Sequence, residues 1–214
     1  MMKELASILM LDGITCTGHT SKENIDEFKN KNTDVIRGLS NPVHKRGGIA
    51  VLKGNIAPDG AVTKPSAIPE KALLFRGPAK IYESEQDALI GIRAKQVHEG
   101  EVVVIRNEGP KGGPGMPEMY KVMKVLVGMN LGSKVCVITD GRFSGSNNGC
   151  FVGHICPEAL DDGPIAYLQD GDVITVDVLN GIIEADVDFS KRRKEVVRKE
   201  VEQVKGCLLY TSPS

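Results

Sequence analysis

The chain has 214 residues, a formal net charge of −1, 41% hydrophobic residues, only 4% aromatic residues and no Trp. Its balanced charge argues against a nucleic-acid or polyanion partner, and its few aromatics argue against a platform for stacking bases. No apolar run approaches the roughly 20 residues needed to span a bilayer, no signal peptide is visible in residues 1–10, and five irregularly spaced cysteines imply reduced thiols in a cytoplasmic protein. With 24 glycines and an aliphatic core, the composition suits a β-rich chain with many tight turns.

Residues 1–11 read as the end of a helix with Leu5, Ile8, Leu9 and Met10 on one side. Residues 14–20 read as a short strand, and Thr20 or Ser21 can cap a helix over 22–29. His19 falls in the exposed turn before it. A brief strand is expected at 34–37, a turn at 40–42, and strands at 48–52 and 61–63 around a loop ending in Asp59-Gly60. Residues 73–82 form a strand that Gly77-Pro78 should bend. Ser84 and Asp87 fit a capping box opening a helix to about residue 96, with Ala88, Leu89 and Ile92 inward. A buried strand follows at 101–106.

The stretch from 109 to 145 concentrates the polar chemistry. Gly109-Pro-Lys-Gly-Gly-Pro-Gly115 holds four Gly and two Pro, a loop suited to unusual dihedrals or close approach. Pro117 suits the first turn of a helix, which would set Glu118 where the macrodipole favours a carboxylate. The apolar run 134–139 reads as a buried strand, with Cys136 as a small core residue, and Asp140, Arg142 and Ser144 follow among glycines at its carboxyl end. Arg142 can bind a carboxylate bidentately or brace Asp140. The amides of 112–115 can line a substrate or simply form a turn. Cys150, His154 and Cys156 invite a metal reading, but their spacing matches no common zinc pattern and a fourth ligand is missing.

Strands are expected at 151–155, 165–168, 172–179 and 182–187, with a short helix at 157–160 and Asn180-Gly181 as a hairpin turn. Residues 190–204 read as an amphipathic helix with Val196, Val197, Val201 and Val204 on one side. Many strands, few helices and no clean βα alternation suggest a mixed β-barrel or β-sandwich flanked by helices.

Gly113-Pro-Gly-Met-Pro-Glu118-Met and Thr139-Asp-Gly-Arg-Phe-Ser144-Gly are very similar to the C-terminal region of the dihydroxy-acid and sugar-acid dehydratase family. Gly54-Asn-Ile-Ala-Pro-Asp-Gly60, Gly153-His-Ile-Cys-Pro-Glu-Ala159, Gly163-Pro-Ile-Ala166 and Asp170-Gly-Asp172 agree in the same order, and the likeness runs from about residue 4 to about 194. The resemblance implies a mixed α/β fold, a swivelling β/β/α barrel-like C-terminal domain over 31–205. Residues 1–30 would then be a remnant of an N-terminal domain and linker, and 206–214 a non-native tail.

The resemblance further implies a hydro-lyase that converts a 2,3-dihydroxy acid to a 2-keto acid, with Ser144 as base and Glu118 as a magnesium ligand. Gly115, Arg142 and Gly145 would contact substrate. The iron–sulfur cluster ligands would lie in an N-terminal domain that this sequence does not include, and none is carried onto the five cysteines here. The implied substrate is a branched-chain dihydroxy acid, with a gluconate- or xylonate-like sugar acid as the alternative. The full-length protein would be a homodimer. A different reading is a non-catalytic module working in trans with a cluster-binding partner.

Overall fold

The computed structural model describes residues 1–43, 47–113, 115–145 and 148–195. The chain divides into two compact units, Met1–Gly47 and Gly48–Ser214. Among the described residues no helix is long and apolar enough to cross a membrane.

In the first unit a 3₁₀ helix spans Met2–Ile8 and helix α1 spans Ser21–Asp26. Thr20 caps α1 as expected: its hydroxyl accepts from the Glu23 N–H, and the Glu23 carboxylate accepts from the Thr20 N–H at 2.7 Å. Two expected strands do not form. Residues 14–20 make a single bridge between Ile14 and Thr20, closed by Thr15 N–H donating to the His19 carbonyl. Residues 34–37 turn instead, because Asn32 Oδ1 accepts from the Asp34 and Val35 amides and gives the backbone a local alternative to a strand.

The second unit is an eight-stranded, nearly closed barrel with flanking helices. Its strands are β1 (Ala50–Leu52), β2 (Gly60–Thr63), β3 (Leu74–Tyr82), β4 (Val102–Ile105), β5 (Cys136–Thr139), β6 (Cys150–Cys156), β7 (Val173–Asp177) and β8 (Ile182–Ala185), and they lie in the order β1-β2-β6-β5-β4-β3-β7-β8. The ends of this order meet through a parallel bridge between Lys53 and Ile182. Asn55 reinforces the closure: its side chain donates to the Ala185 carbonyl at 2.7 Å and accepts from the Ala185 amide at 2.8 Å.

The four central strands are parallel; α2 (Glu85–Arg93) leads from β3 to β4, α3 (Tyr120–Gly128) from β4 to β5, and among the described residues no helix stands between β5 and β6. From β3 to β5 the chain alternates β and α, while antiparallel pairs flank this stretch, so the sheet as a whole is mixed, as expected. β4 explains the run Val102-Val-Val-Ile105, all four residues of which are buried. Val102 and Val104 belong to one core with Cys136, Ile138, Val152 and Ile174. Val103 and Ile105 pack on the other face against Leu89 and Ile92 of α2 and Val122 and Leu126 of α3. A strand covered on both faces has no polar side to show, and each such side chain contributes on the order of 1.5–3 kcal/mol of burial.

Other boundaries follow local chemistry. The Ser84 hydroxyl accepts from the Asp87 amide and starts α2, which stops at Arg93, with Lys95 at φ 59 closing the end. β3 is not broken at Gly77-Pro78. It changes partner there, running antiparallel to β7 over 74–78 and parallel to β4 over 79–82. The expected strand at 165–168 is a 3₁₀ helix, Pro164–Tyr167; Pro164 fixes its first turn and all four residues are buried. The β7–β8 hairpin turns at Asn180-Gly181, with Gly181 at φ 71. Helix α4 covers Phe189–Glu195. The expected continuation to 204, its four valines, Cys207 and the tail 206–214 lie outside the described residues.

Candidate active site

The loops leaving β4, β5 and β6 meet at one end of the parallel strands. Two buried carboxylates hold them. Asp140, 1% exposed, follows β5 and accepts from the amides of Asn107 (3.1 Å), Glu108 (2.9 Å) and Ala159 (2.9 Å). Burial raises its pKa, against the lowering effect of those three bonds. Glu158, also buried, accepts from the amides of Lys111 (2.8 Å) and Gly112 (3.0 Å). The glycine loop is thus gripped through its backbone. Gly112 must be glycine for steric reasons, because a Cβ there would lie 2.5 Å from the Asn107 carbonyl oxygen. Gly115, at φ 72, turns the chain toward Glu118.

Glu118 does not open a helix. α3 begins at Tyr120 with Met119 as its cap, and Glu118 instead forms a parallel bridge with Arg142. The Met119 amide donates to the Arg142 carbonyl at 3.0 Å, Arg142 Nε donates to the Met116 carbonyl at 2.6 Å, and an Arg142 terminal nitrogen lies 3.3 Å from Glu118 Oε1. Both side chains remain nearly half exposed, at 43% and 47%. Of the two roles open for Arg142, bracing Asp140 is not the one observed; the guanidinium ties the Met116–Glu118 segment down.

Ser144 is partly buried two residues beyond Arg142, so their Cα atoms are at most about 7 Å apart. Phe143 between them anchors the loop, its ring 5.2 Å edge-to-face from Phe151 of β6. Gly145 is exposed, and its carbonyl accepts from Lys64 Nζ at 3.1 Å. The fold therefore joins Glu118 to Arg142 directly and carries Ser144 and Gly145 on the same loop. Beside them lies a cleft of about 270 Å³, lined by Pro110, Lys111, Met116, Asp140, His154 and Glu158 among others. Glu158 and Lys64 were not singled out in the sequence. The Cys-Pro-Glu stretch was a usable signal for Glu158; nothing local marked Lys64.

Among the described residues no three His, Cys, Asp or Glu side chains gather as a metal site. The metal reading of Cys150, His154 and Cys156 fails on geometry: Cys150 is buried with its Sγ 3.0 Å from Cys136 Sγ, whereas His154 and Cys156 are exposed. Cys136 is a core residue, as expected, and burial pushes its thiol pKa well up. Glu118 suits a hard cation such as magnesium as one oxygen ligand of several. Cys16 belongs to the first unit and is exposed.

The barrel carries a carboxylate, a guanidinium and a hydroxyl on loops at the carboxyl end of its parallel strands, where α/β folds usually place ligands. The chain belongs to the family described as Dihydroxy-acid/6-phosphogluconate dehydratase C-terminal, which matches residues 34–212. It is 50% identical over 189 residues to a dihydroxy-acid dehydratase of Agathobacter rectalis, covering 87% of this chain and 34% of that protein. To those of Ruminiclostridium cellulolyticum and Acetivibrio thermocellus it is 48% and 46% identical, covering 91% and 97% of this chain and 36% and 38% of those proteins. The chain thus spans little more than a third of the length of these relatives.

Proposed function

We propose that this chain is the C-terminal part of a cytoplasmic, homodimeric hydro-lyase that dehydrates a 2,3-dihydroxy-3-methyl acid to a 2-keto acid in branched-chain amino-acid synthesis. The observation that carries this reading is the 46–50% identity, over most of the chain, to proteins named dihydroxy-acid dehydratase. In the reaction the C2 proton and the C3 hydroxyl leave as water, and the resulting enol becomes the keto acid.

Ser144 is the base that takes the C2 proton. An ordinary serine is far too weakly acidic for this, so its alkoxide needs a strong positive field. Bound magnesium, with Glu118 as one ligand, and an iron–sulfur cluster held outside this chain would supply that field and Lewis acidity toward the substrate oxygens. Arg142 keeps Glu118 in place, and the Gly115 and Gly145 segments border the substrate. Phe143 fixes the loop on which Ser144 rides.

The test is a dehydration assay on the full-length protein, reconstituted with iron, sulfide and magnesium. Dihydroxyisovalerate and gluconate are offered side by side, and keto acid is measured. Preferred turnover of dihydroxyisovalerate is expected. Preference for gluconate would move the protein to sugar-acid catabolism, and turnover of neither would favour a non-catalytic module.

A further inference from the structure

β6 carries an irregularity beside the cleft. Gly60 of β2 pairs with Cys156 and Val62 with Gly153, so three steps on β6 face two on β2. The extra residue makes a bulge at His154-Ile155, the device by which strands re-aim a side chain next to a site. His154 takes φ 55, a left-handed conformation that a side chain disfavours. Its amide donates to the Gly141 carbonyl at 2.8 Å, which fastens the bulge to the residue preceding Arg142. The side chain is exposed and lines the cleft with Met116 and Asp140, and among the described residues its imidazole has no hydrogen-bond or ion-pair partner.

The other polar groups of the cleft are engaged. Asp140 and Glu158 accept backbone amides, and Lys111 pairs with Asp161. Three carboxylates against one ammonium disfavour a substrate carboxylate here, while Pro110, Met116 and Ile155 provide apolar lining. The cleft suits the neutral end of a hydroxy acid.

We propose that His154 is a substrate-binding and specificity residue: its imidazole hydrogen-bonds the end of the dihydroxy acid remote from the carboxylate, with Met116 against the alkyl substituent. This rests on reading the chain as part of a dehydratase. The test uses the reconstituted full-length protein with His154→Asn and His154→Gly, two replacements that tolerate positive φ. Both should raise KM for dihydroxyisovalerate about tenfold, equivalent to ~1.4 kcal/mol, with kcat within about threefold and no fall in Tm. A KM unchanged in both variants overturns the proposal.

A second measurement separates this inference from the reaction itself. Carbethoxylation of His154 in the wild-type protein by diethyl pyrocarbonate, read by peptide mass spectrometry, should be slowed at least fivefold by saturating dihydroxyisovalerate. Protection without turnover would refute the assigned reaction and leave the binding role standing. Turnover without protection would refute the role of His154 alone.

Discussion

Glu118 and Arg142 are 24 residues apart in the chain and 3.3 Å apart in space. Nothing local in the sequence announces that pairing, which explains why Glu118 reads as the start of a helix. Pro117 and the apolar run after it are genuine helix signals, but the bridge to Arg142 holds Glu118 in extended backbone and delays the helix to Tyr120. That Arg142 and Ser144 sit on the loop after a buried strand was legible in the sequence; the grip of the buried carboxylates on the neighbouring loops was not, since a sequence does not show which amides a carboxylate will meet. In the full-length protein Ser144→Ala should lower kcat by at least about 10³-fold, comparable with the loss of a nucleophile or base in other enzymes, and leave the cluster absorption spectrum intact. Retained turnover would put the base elsewhere.

Glu108 supports a second prediction at the same scale. Burial, then the neighbouring Glu85, Asp140 and Asp87 carboxylates, raise its pKa, while its bond from the Glu85 amide lowers it. A carboxyl with a raised folded pKa gives up stability as pH climbs from the ordinary carboxyl range through the folded value, because the unfolded chain ionises first. Glu108→Gln keeps an oxygen for the Glu85 amide and removes the charge. The variant should exceed the parent in stability at pH values above the ordinary carboxyl range, and thermal melts should converge toward pH 4.

At the scale of elements, capping chemistry and hairpin turns transferred well from sequence to structure: Thr20, Ser84 and Asn180-Gly181 all act as their residue types suggest. Short apolar runs transferred poorly. Residues 165–168 look like a strand, yet a run of four buried residues carries no periodicity that separates a strand from a 3₁₀ turn. Gly77 shows the same gap from another side. It reads as a break, whereas it lets β3 pass under the turn at Gly100: a Cβ on Gly77 would lie 1.8 Å from the Gly100 carbonyl oxygen. Gly77→Ala should cost about 2 kcal/mol or more, visible as a lowered denaturation midpoint with the slope unchanged.

At the scale of the whole molecule, barrel closure depends on few contacts. β1 and β8 meet through Lys53 and Ile182, and Asn55 clamps both backbone groups of Ala185. Asn55→Ala leaves an amide and a carbonyl without that partner and should destabilise the barrel by about 2 kcal/mol. Amide exchange at Ala185 should accelerate by more than exchange at Val103, in the doubly covered β4. Exchange unchanged at Ala185 would mean that the Lys53–Ile182 bridge closes the barrel unaided.

That bridge also has a colloidal consequence. An open sheet ends in two rows of unsatisfied amides and carbonyls, which recruit strands from other molecules. Here the outermost strands of the order are neighbours, so the described barrel offers little such template. Growth by strand addition, the route to fibres, meets a surface already spent on itself. Weakening the seam at Asn55 should therefore first be visible as light scattering from concentrated solutions, before any loss of helix signal.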